Sequence, residues 1–98
     1  MNQTSKYRFT IISPVYNEEG NVGRLAEELG KFMEFSKEPS VCVLFVNDGS
    51  ADNSLQLIKD ECSKRRNFFY ISLSHRTGLS GAIKAGFDNC FSDFVGYI

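Results

Sequence analysis

Three short polar stretches hold most of the residues whose types could do chemistry: Pro14-Val15-Tyr16-Asn17-Glu18-Glu19, Asn47-Asp48-Gly49-Ser50 and Ser74-His75-Arg76-Thr77-Gly78. Together they offer an aromatic ring, carboxylates and an arginine. That set suits a nucleotide. The ring can stack on a base, a carboxylate can accept from base or ribose N–H and O–H groups, and a guanidinium can meet negative oxygen. Each residue also has a plainer use. Asp48-Gly49 is a tight turn in its own right, Asn17 and Glu18 suit the first turn of a helix, and His75 and Arg76 suit a loop surface. His75 is the single histidine and has no neighbouring carboxylate or cysteine motif, so it is a poor metal or triad candidate. Only co-location would make a site of these stretches, and that depends on the elements that carry them.

Four apolar runs read as strands: YRFTIIS (7–13), VCVLFV (41–46), FFYISL (68–73) and FVGYI (94–98). They are short, β-branched and aromatic; the second is continuous enough for a strand covered on both faces, and the fourth reads as a buried strand. Between the first two, VGRLAEELGKFMEF turns Val22, Leu25, Leu29, Phe32 and Met33 to one side at helical spacing, with Arg24, Glu27, Glu28 and Lys31 opposite. SKEPS breaks that helix. A second helix carries Leu55, Ile58 and Cys62 inward, with Ser50 and Asp52 as cap candidates. It ends at Lys64-Arg65-Arg66, which suits the negative end of a helix better than a phosphate or lipid-headgroup patch. A third, LSGAIKAGFDNCF, has Gly81, Ala82, Ala85 and Gly86 on one side, as close packing on a sheet requires. The order β-α-β-α-β-α-β predicts one domain over residues 1–98: a three-layer α/β/α unit with a parallel four-stranded sheet and right-handed crossovers. Ligands of such sheets bind beyond the carboxyl ends of the strands. Each polar stretch follows a strand, so all three converge on one edge.

Bulk composition removes other classes. A net charge of −1 gives no basic face for nucleic acid. No apolar run approaches the roughly 20 residues that cross a bilayer, and MNQTSKYRF lacks the apolar segment of a secretory signal. Cys42, Cys62 and Cys90 are widely spaced and odd in number, as expected for reduced, mostly buried thiols of a cytosolic chain. The G-x-G-x-x-G and G-x-x-x-x-G-K-[ST] nucleotide motifs are absent. No Asp ends the third strand, where a receiver module would carry its phosphoacceptor.

IISPVYNEEGNV, LFVNDGSADNSLQLI and SHRTGLSGAIKAGF together resemble the N-terminal half of an inverting family 2 glycosyltransferase of the GT-A fold, over Phe9 to Ile98. The specific signal is P-x-Y-N-E-E followed at this separation by [ND]-D-G-S-x-D-x-[ST]. The resemblance implies the nucleotide-binding half of a Rossmann-like GT-A fold. It places Pro14, Tyr16 and Glu18 around the nucleoside, Asp48 on the base and Arg76 near the nucleotide, with Gly78 and the helix from Leu79 to Phe87 beneath. The SHRTGLSGAIKAGF wording is similar to enzymes that load sugars onto polyprenyl phosphates, such as dolichyl-phosphate mannosyltransferases and their bacterial relatives. The implied reaction moves a hexose from a UDP- or GDP-sugar, with inversion, to a polyprenyl phosphate or saccharide acceptor. It would take place in the cytoplasm, with the parent enzyme at the cytoplasmic face of the membrane in envelope polysaccharide synthesis.

In that family a metal-binding D-x-D follows the fourth strand, and the carboxylate that deprotonates the acceptor lies further on. Neither falls within residues 1–98. Mg2+ or Mn2+ is therefore expected in the full-length parent and not in this chain, no catalytic residue is assigned here, and the chain alone is expected to be inactive. The alternative is a non-catalytic α/β binding or assembly module indifferent to nucleotide. An unpaired fourth strand would be an adhesive edge, which predicts a homodimer through it.

Overall fold

The computed structural model describes residues 3–36 and 40–98; most of the helix-breaking SKEPS stretch, at 37–39, lies outside them. After a 3-10 turn at Gln3–Lys6, the elements are β1 (Phe9–Val15), α1 (Val22–Ser36), β2 (Val41–Asn47), α2 (Ser54–Lys64), β3 (Phe68–Ser72), α3 (Gly78–Asp88) and β4 (Phe94–Tyr97). All pairings are parallel, and the sheet runs β3-β2-β1-β4. The expected α/β/α arrangement is present.

Alternation along the strands divides the core in two. On one face Val15, Val41, Val43, Phe45 and Phe68 pack against Val22, Ala26, Leu29 and Met33 of α1 and Ile58 of α2. On the other, Ile12 and Val46 meet Ala82 of α3, flanked by Ile71, Leu73, Ala85 and Val95. All seven residues of β2 are buried, as its continuous apolar run requires. The small side of α3 lets it approach β1 closely: a Cβ on Gly86 would lie 2.7 Å from Ile12 Cγ2. Burial raises the Cys42 thiol to about 11 against a hydrogen bond from Thr10, and burial with the Glu61 charge raises Cys62 to about 11. All three cysteines are free.

Several expectations are corrected. β1 starts two residues later than its apolar run and continues through Pro14 to Val15. The carbonyls of Arg8 and Ile12 accept from Phe94 and Ile98, whereas that of Val15 accepts from Asp48. Even-numbered positions thus face β4, and Pro14, which has no N–H to give, faces that side past the last bond at Ile98. Phe32 is 54% exposed rather than inward. The buried stripe of α1 is 22, 26, 29 and 33, and Phe32 falls to its side, over the groove lined by Phe9, Ile11 and Phe94. FVGYI is not a buried strand either: Phe94, Tyr97 and Ile98 are at least half exposed. β4 pairs with β1 alone, and α3 sits over β1 and β2.

Two further details anchor the frame. Phe91 N–H donates to the buried Thr4 Oγ1 at 3.0 Å and Ser92 Oγ donates to Thr4 O at 2.9 Å, which ties the N-terminal turn to the entry of β4. Two members of the basic triplet are engaged by side chains of α2 and β3. Lys64 and Arg65 lie 3.5 and 3.4 Å from Glu61, and Arg65 stacks over Phe68. No helix among the described residues is long and apolar enough to cross a membrane.

Candidate functional site

The three polar stretches meet at the carboxyl ends of β1, β2 and β3, and the contacts between them close into a ring. The first seam joins the β1 loop to the β2 loop. Asn17 sits in the left-handed region at φ 50, which asparagine tolerates better than most residues. Its N–H donates to Ser50 Oγ at 2.9 Å, and its Oδ1 accepts from Ala51 N–H at 2.8 Å. Glu18 N–H donates to Ser54 Oγ at 2.8 Å and Glu19 N–H to Asp52 Oδ2 at 3.2 Å. Asp52 also takes the N–H of Ser54 at 2.9 Å. The hydroxyl of Ser54, opposed in part by burial, holds the Asp52 carboxyl below its ordinary range, helped by the Ser54 and Glu19 N–H groups.

The second seam joins the β2 loop to the β3 loop through Asp48, which is 3% exposed. Its Oδ1 accepts from both the N–H and the hydroxyl of Thr77 at 2.8 Å, and its Oδ2 accepts from Gly78 N–H at 3.0 Å. Burial pushes this carboxyl up. The Thr77 and Gly78 hydrogen bonds and the nearby Arg76 charge outweigh burial and hold it below the usual carboxylate value. Gly49, at φ 69, lies flat against His75 and Arg76: a Cβ there would sit 2.4 Å from His75 C and 2.5 Å from Arg76 N. The third seam is the Arg76 guanidinium over the Tyr16 ring, 4.2 Å from its centroid.

Of the residues expected at the site, Tyr16, Asp48 and Arg76 are brought together. Pro14 lies two residues before Tyr16, in register with Val46 and half-buried. The Glu18 carboxylate is exposed and takes Asn21 Nδ2 at 2.9 Å, at the start of α1. Ser50 and Asp52, read from sequence as caps of α2, instead hold the β1 loop; only the Asp52 bond to Ser54 N–H resembles a cap. Ser54 and Thr77 were not singled out. The signal for Ser54 is the alternate spacing of Ser50, Asp52 and Ser54, which puts three acceptors on one side of a turn.

These bonds also decide what is left for a ligand. The first N–H of α1, Val22, and that of Asn21 before it go to Glu18 O, the first of α2 goes to Asp52, and those of Thr77 and Gly78 leading into α3 go to Asp48. The helix N-termini at this edge are thus partly occupied, and Arg76 is an exposed cation beside them. Asp48 uses three of its roughly four acceptor positions internally, leaving about one for a ligand donor. Among the described residues no three of His, Cys, Asp and Glu gather closely enough to hold a metal ion.

The sequence pattern described as Glycosyl transferase family 2 matches residues 10–98. This chain belongs to that family. Relatives of this family 2 domain include CsbB of Bacillus subtilis, which carries a provisional glycosyltransferase name; it is 42% identical over 87 residues, 88% of this chain and 26% of its own length. An undecaprenyl-phosphate 4-deoxy-4-formamido-L-arabinose transferase of Pseudomonas fluorescens is 33% identical over 90 residues, covering 88% of this chain and 25% of that protein. The family 2 domain thus spans about a quarter of the length of the curated relatives it matches. Among solved structures, the mannosyltransferase PcManGT of Pyrobaculum calidifontis, in complex with GDP-Man and Mn2+, superposes with a TM-score of 0.65 at 19% identity. The match covers 90% of this chain and 26% of that one, and it shows the shared GT-A fold.

Proposed function

We propose that this domain binds the nucleoside diphosphate of a UDP- or GDP-sugar, for a parent enzyme that transfers a hexose with inversion to a polyprenyl phosphate or saccharide acceptor. One observation carries the reading: a loop fixed by Asp48 sets Arg76 over Tyr16 at the carboxyl edge of a parallel sheet. Tyr16 offers a face to the base, the remaining acceptor position of Asp48 takes a base N–H, Pro14 and Glu18 border the nucleoside, and Arg76 meets the phosphates. Names of relatives support the acceptor class, undecaprenyl phosphate in bacteria and dolichyl phosphate in a Trichomonas vaginalis glucosyltransferase 29% identical over 85 residues. A lipid-linked acceptor would bring the parent to the cytoplasmic face of the membrane. PcManGT holds GDP-Man with Mn2+, which supports Mg2+ or Mn2+ in the parent. The described residues hold no cluster fit for that metal. The 98 residues alone bind donor without turnover, as befits about a quarter of such an enzyme.

Calorimetry with UDP and GDP tests the site. The wild-type chain is expected to bind one of them at roughly millimolar affinity, about −4 kcal/mol. Arg76→Ala, at an exposed position, should weaken that binding by about tenfold with the fold intact. Equal heats from both proteins would remove Arg76 from the pocket.

A second reading, assembly, has its own observation. Phe94, Tyr97 and Ile98 are exposed on a strand paired along one side only, beside the exposed Phe32. For the 98-residue chain this edge is proposed to pair with a second copy. Light scattering should show mass rising toward the dimer with concentration, and Phe94→Lys should return the monomer. A wild-type monomer at millimolar concentration would exclude the edge pairing.

A further inference from the structure

We infer that Ser50, Asp52 and Ser54 are positioning residues for the Tyr16–Arg76 pair: from the neighbouring loop they fix the backbone that presents Tyr16, and with it the proposed nucleotide site. This rests on the nucleotide reading above and deepens it. Three successive N–H groups, of Asn17, Glu18 and Glu19, are each taken by a different side chain, Ser50 and Asp52 of the β2 loop and Ser54 at the first position of α2, at 2.9, 3.2 and 2.8 Å for Ser50, Asp52 and Ser54. A return bond from Ala51 N–H to Asn17 Oδ1, 2.8 Å, locks the left-handed turn immediately after Tyr16. Ser54 is wholly buried; its hydroxyl takes the Glu18 N–H and in turn supports the Asp52 carboxylate.

The bond between Asn17 and Ser50 adds little to what holds the sheet together. The core face beneath them is apolar and complete, from Val15 to Val22, Ala26 and Phe45. Asn17 is exposed and Ser50 half-buried, so water replaces the bond between them when it is lost. What water cannot replace is the fixed backbone at residue 17. The ring of Tyr16 is set by that backbone on one side and by β1 on the other, and the Arg76 guanidinium stacks on whatever face it presents. Loss of the Asn17–Ser50 tie therefore frees the pair without unfolding the domain.

The test uses the full 98-residue chain, isotopically labelled, with UDP and GDP as probes. In Ser50→Ala without nucleotide, the Tyr16 ring and Arg76 side-chain resonances should move toward unstacked values, while the melting temperature stays within about 2 °C. Affinity for the nucleotide that wild type binds should fall about fivefold. Ser50→Thr should restore both, because it returns the hydroxyl. Asp52→Asn should move the same resonances in the same direction and serves if Ser50→Ala is poorly folded. Unchanged Tyr16 and Arg76 resonances in folded variants overturn the positioning role. So does weaker binding accompanied by a large fall in melting temperature, which is the signature of plain structural loss. A wild-type chain that binds neither nucleotide defeats the nucleotide reading instead, and the ligand-free resonances then decide the positioning role by themselves.

Discussion

Asp48→Ala is expected to lower the melting temperature by roughly 10–20 °C and to abolish nucleotide binding along with it. The carboxylate is buried, and three donors of Thr77 and Gly78 end on it. Hydrogen bonds to a charged group contribute about 1.5–3 kcal/mol each, offset here by rehydration of the exposed Thr77, so a net loss of about 2–3 kcal/mol is expected. In a domain of this size each kcal/mol moves the midpoint by about 4–8 °C. Asp48→Asn, which keeps the shape and part of the acceptor capacity, should fall between alanine and wild type. The sign of the pH dependence follows from the depressed folded-state value of Asp48. Its contribution is complete above the ordinary aspartate value of about 3.9, declines below it, and is gone once pH drops beneath the folded-state value. Asp52 is shifted in the same direction and adds to the same acid limb. Thermal melts from pH 7 down to pH 3, followed by circular dichroism, should show a steeper acid decline in wild type than in Asp48→Asn. Parallel declines would mean that the carboxylate contributes nothing specific. Because Asp48 supports the fold of the site, loss of binding in Asp48→Ala does not by itself show that Asp48 touches the base; Arg76→Ala is the cleaner probe.

Gly49→Ala is expected to be at least as damaging, by about 3 kcal/mol, for a different reason. Left-handed backbone costs alanine about 1–2 kcal/mol, and the added methyl meets His75 and Arg76 backbone at 2.4 and 2.5 Å. Backbone cannot rotate away as a side-chain end can, so the β3 loop must lift, at a further cost of about 1–3 kcal/mol. Gly78→Ala separates the two causes. Gly78 is also left-handed, at φ 87, but a Cβ there meets nothing within 4 Å. It should lose only the conformational part, about 1–2 kcal/mol. Urea denaturation of the two variants measures the difference. Equal losses would mean that the β3 loop yields to the methyl without strain. Gly49→Ala should also separate Arg76 from Tyr16, which Gly78→Ala should not.

Much of this was legible in the sequence, because it depends on neighbours along the chain. VCVLFV is apolar throughout and became the fully buried β2; VGRLAEELGKFMEF repeats at helical spacing and became α1. The paired motifs carried the family, since two specific stretches at a set separation rarely arise together by chance. What was misread depends on partners distant in sequence. Phe32 and FVGYI are as apolar as buried residues, but their cover depends on which elements lie beside β4 and where α3 sits. Ser50 and Asp52 have the chemistry of caps, and nothing local says that their acceptors serve residues 17 and 19. Asp48 follows β2 at the carboxyl edge, as the strand pattern predicts, yet its attachment to Thr77 and Gly78 is set by how two loops meet in space. That this carboxyl edge is built from such cross-loop bonds is why its members were visible and its wiring was not.

In the sheet, β1 lies between β2 and β4, yet it is the first strand of the chain, so its two neighbours reach it at different times. β2 follows after a single helix. The ties between Thr4 and the entry of β4 span 87 and 88 residues of sequence and close the largest loop in the domain. Loop entropy grows slowly with length, so late closure is affordable, but contacts of such long range tend to form last. All three loops of the ring are complete by Gly78, before β4 has been added. The three loops therefore close their ring through contacts of shorter sequence range than those that tie the entry of β4 to the N-terminal turn.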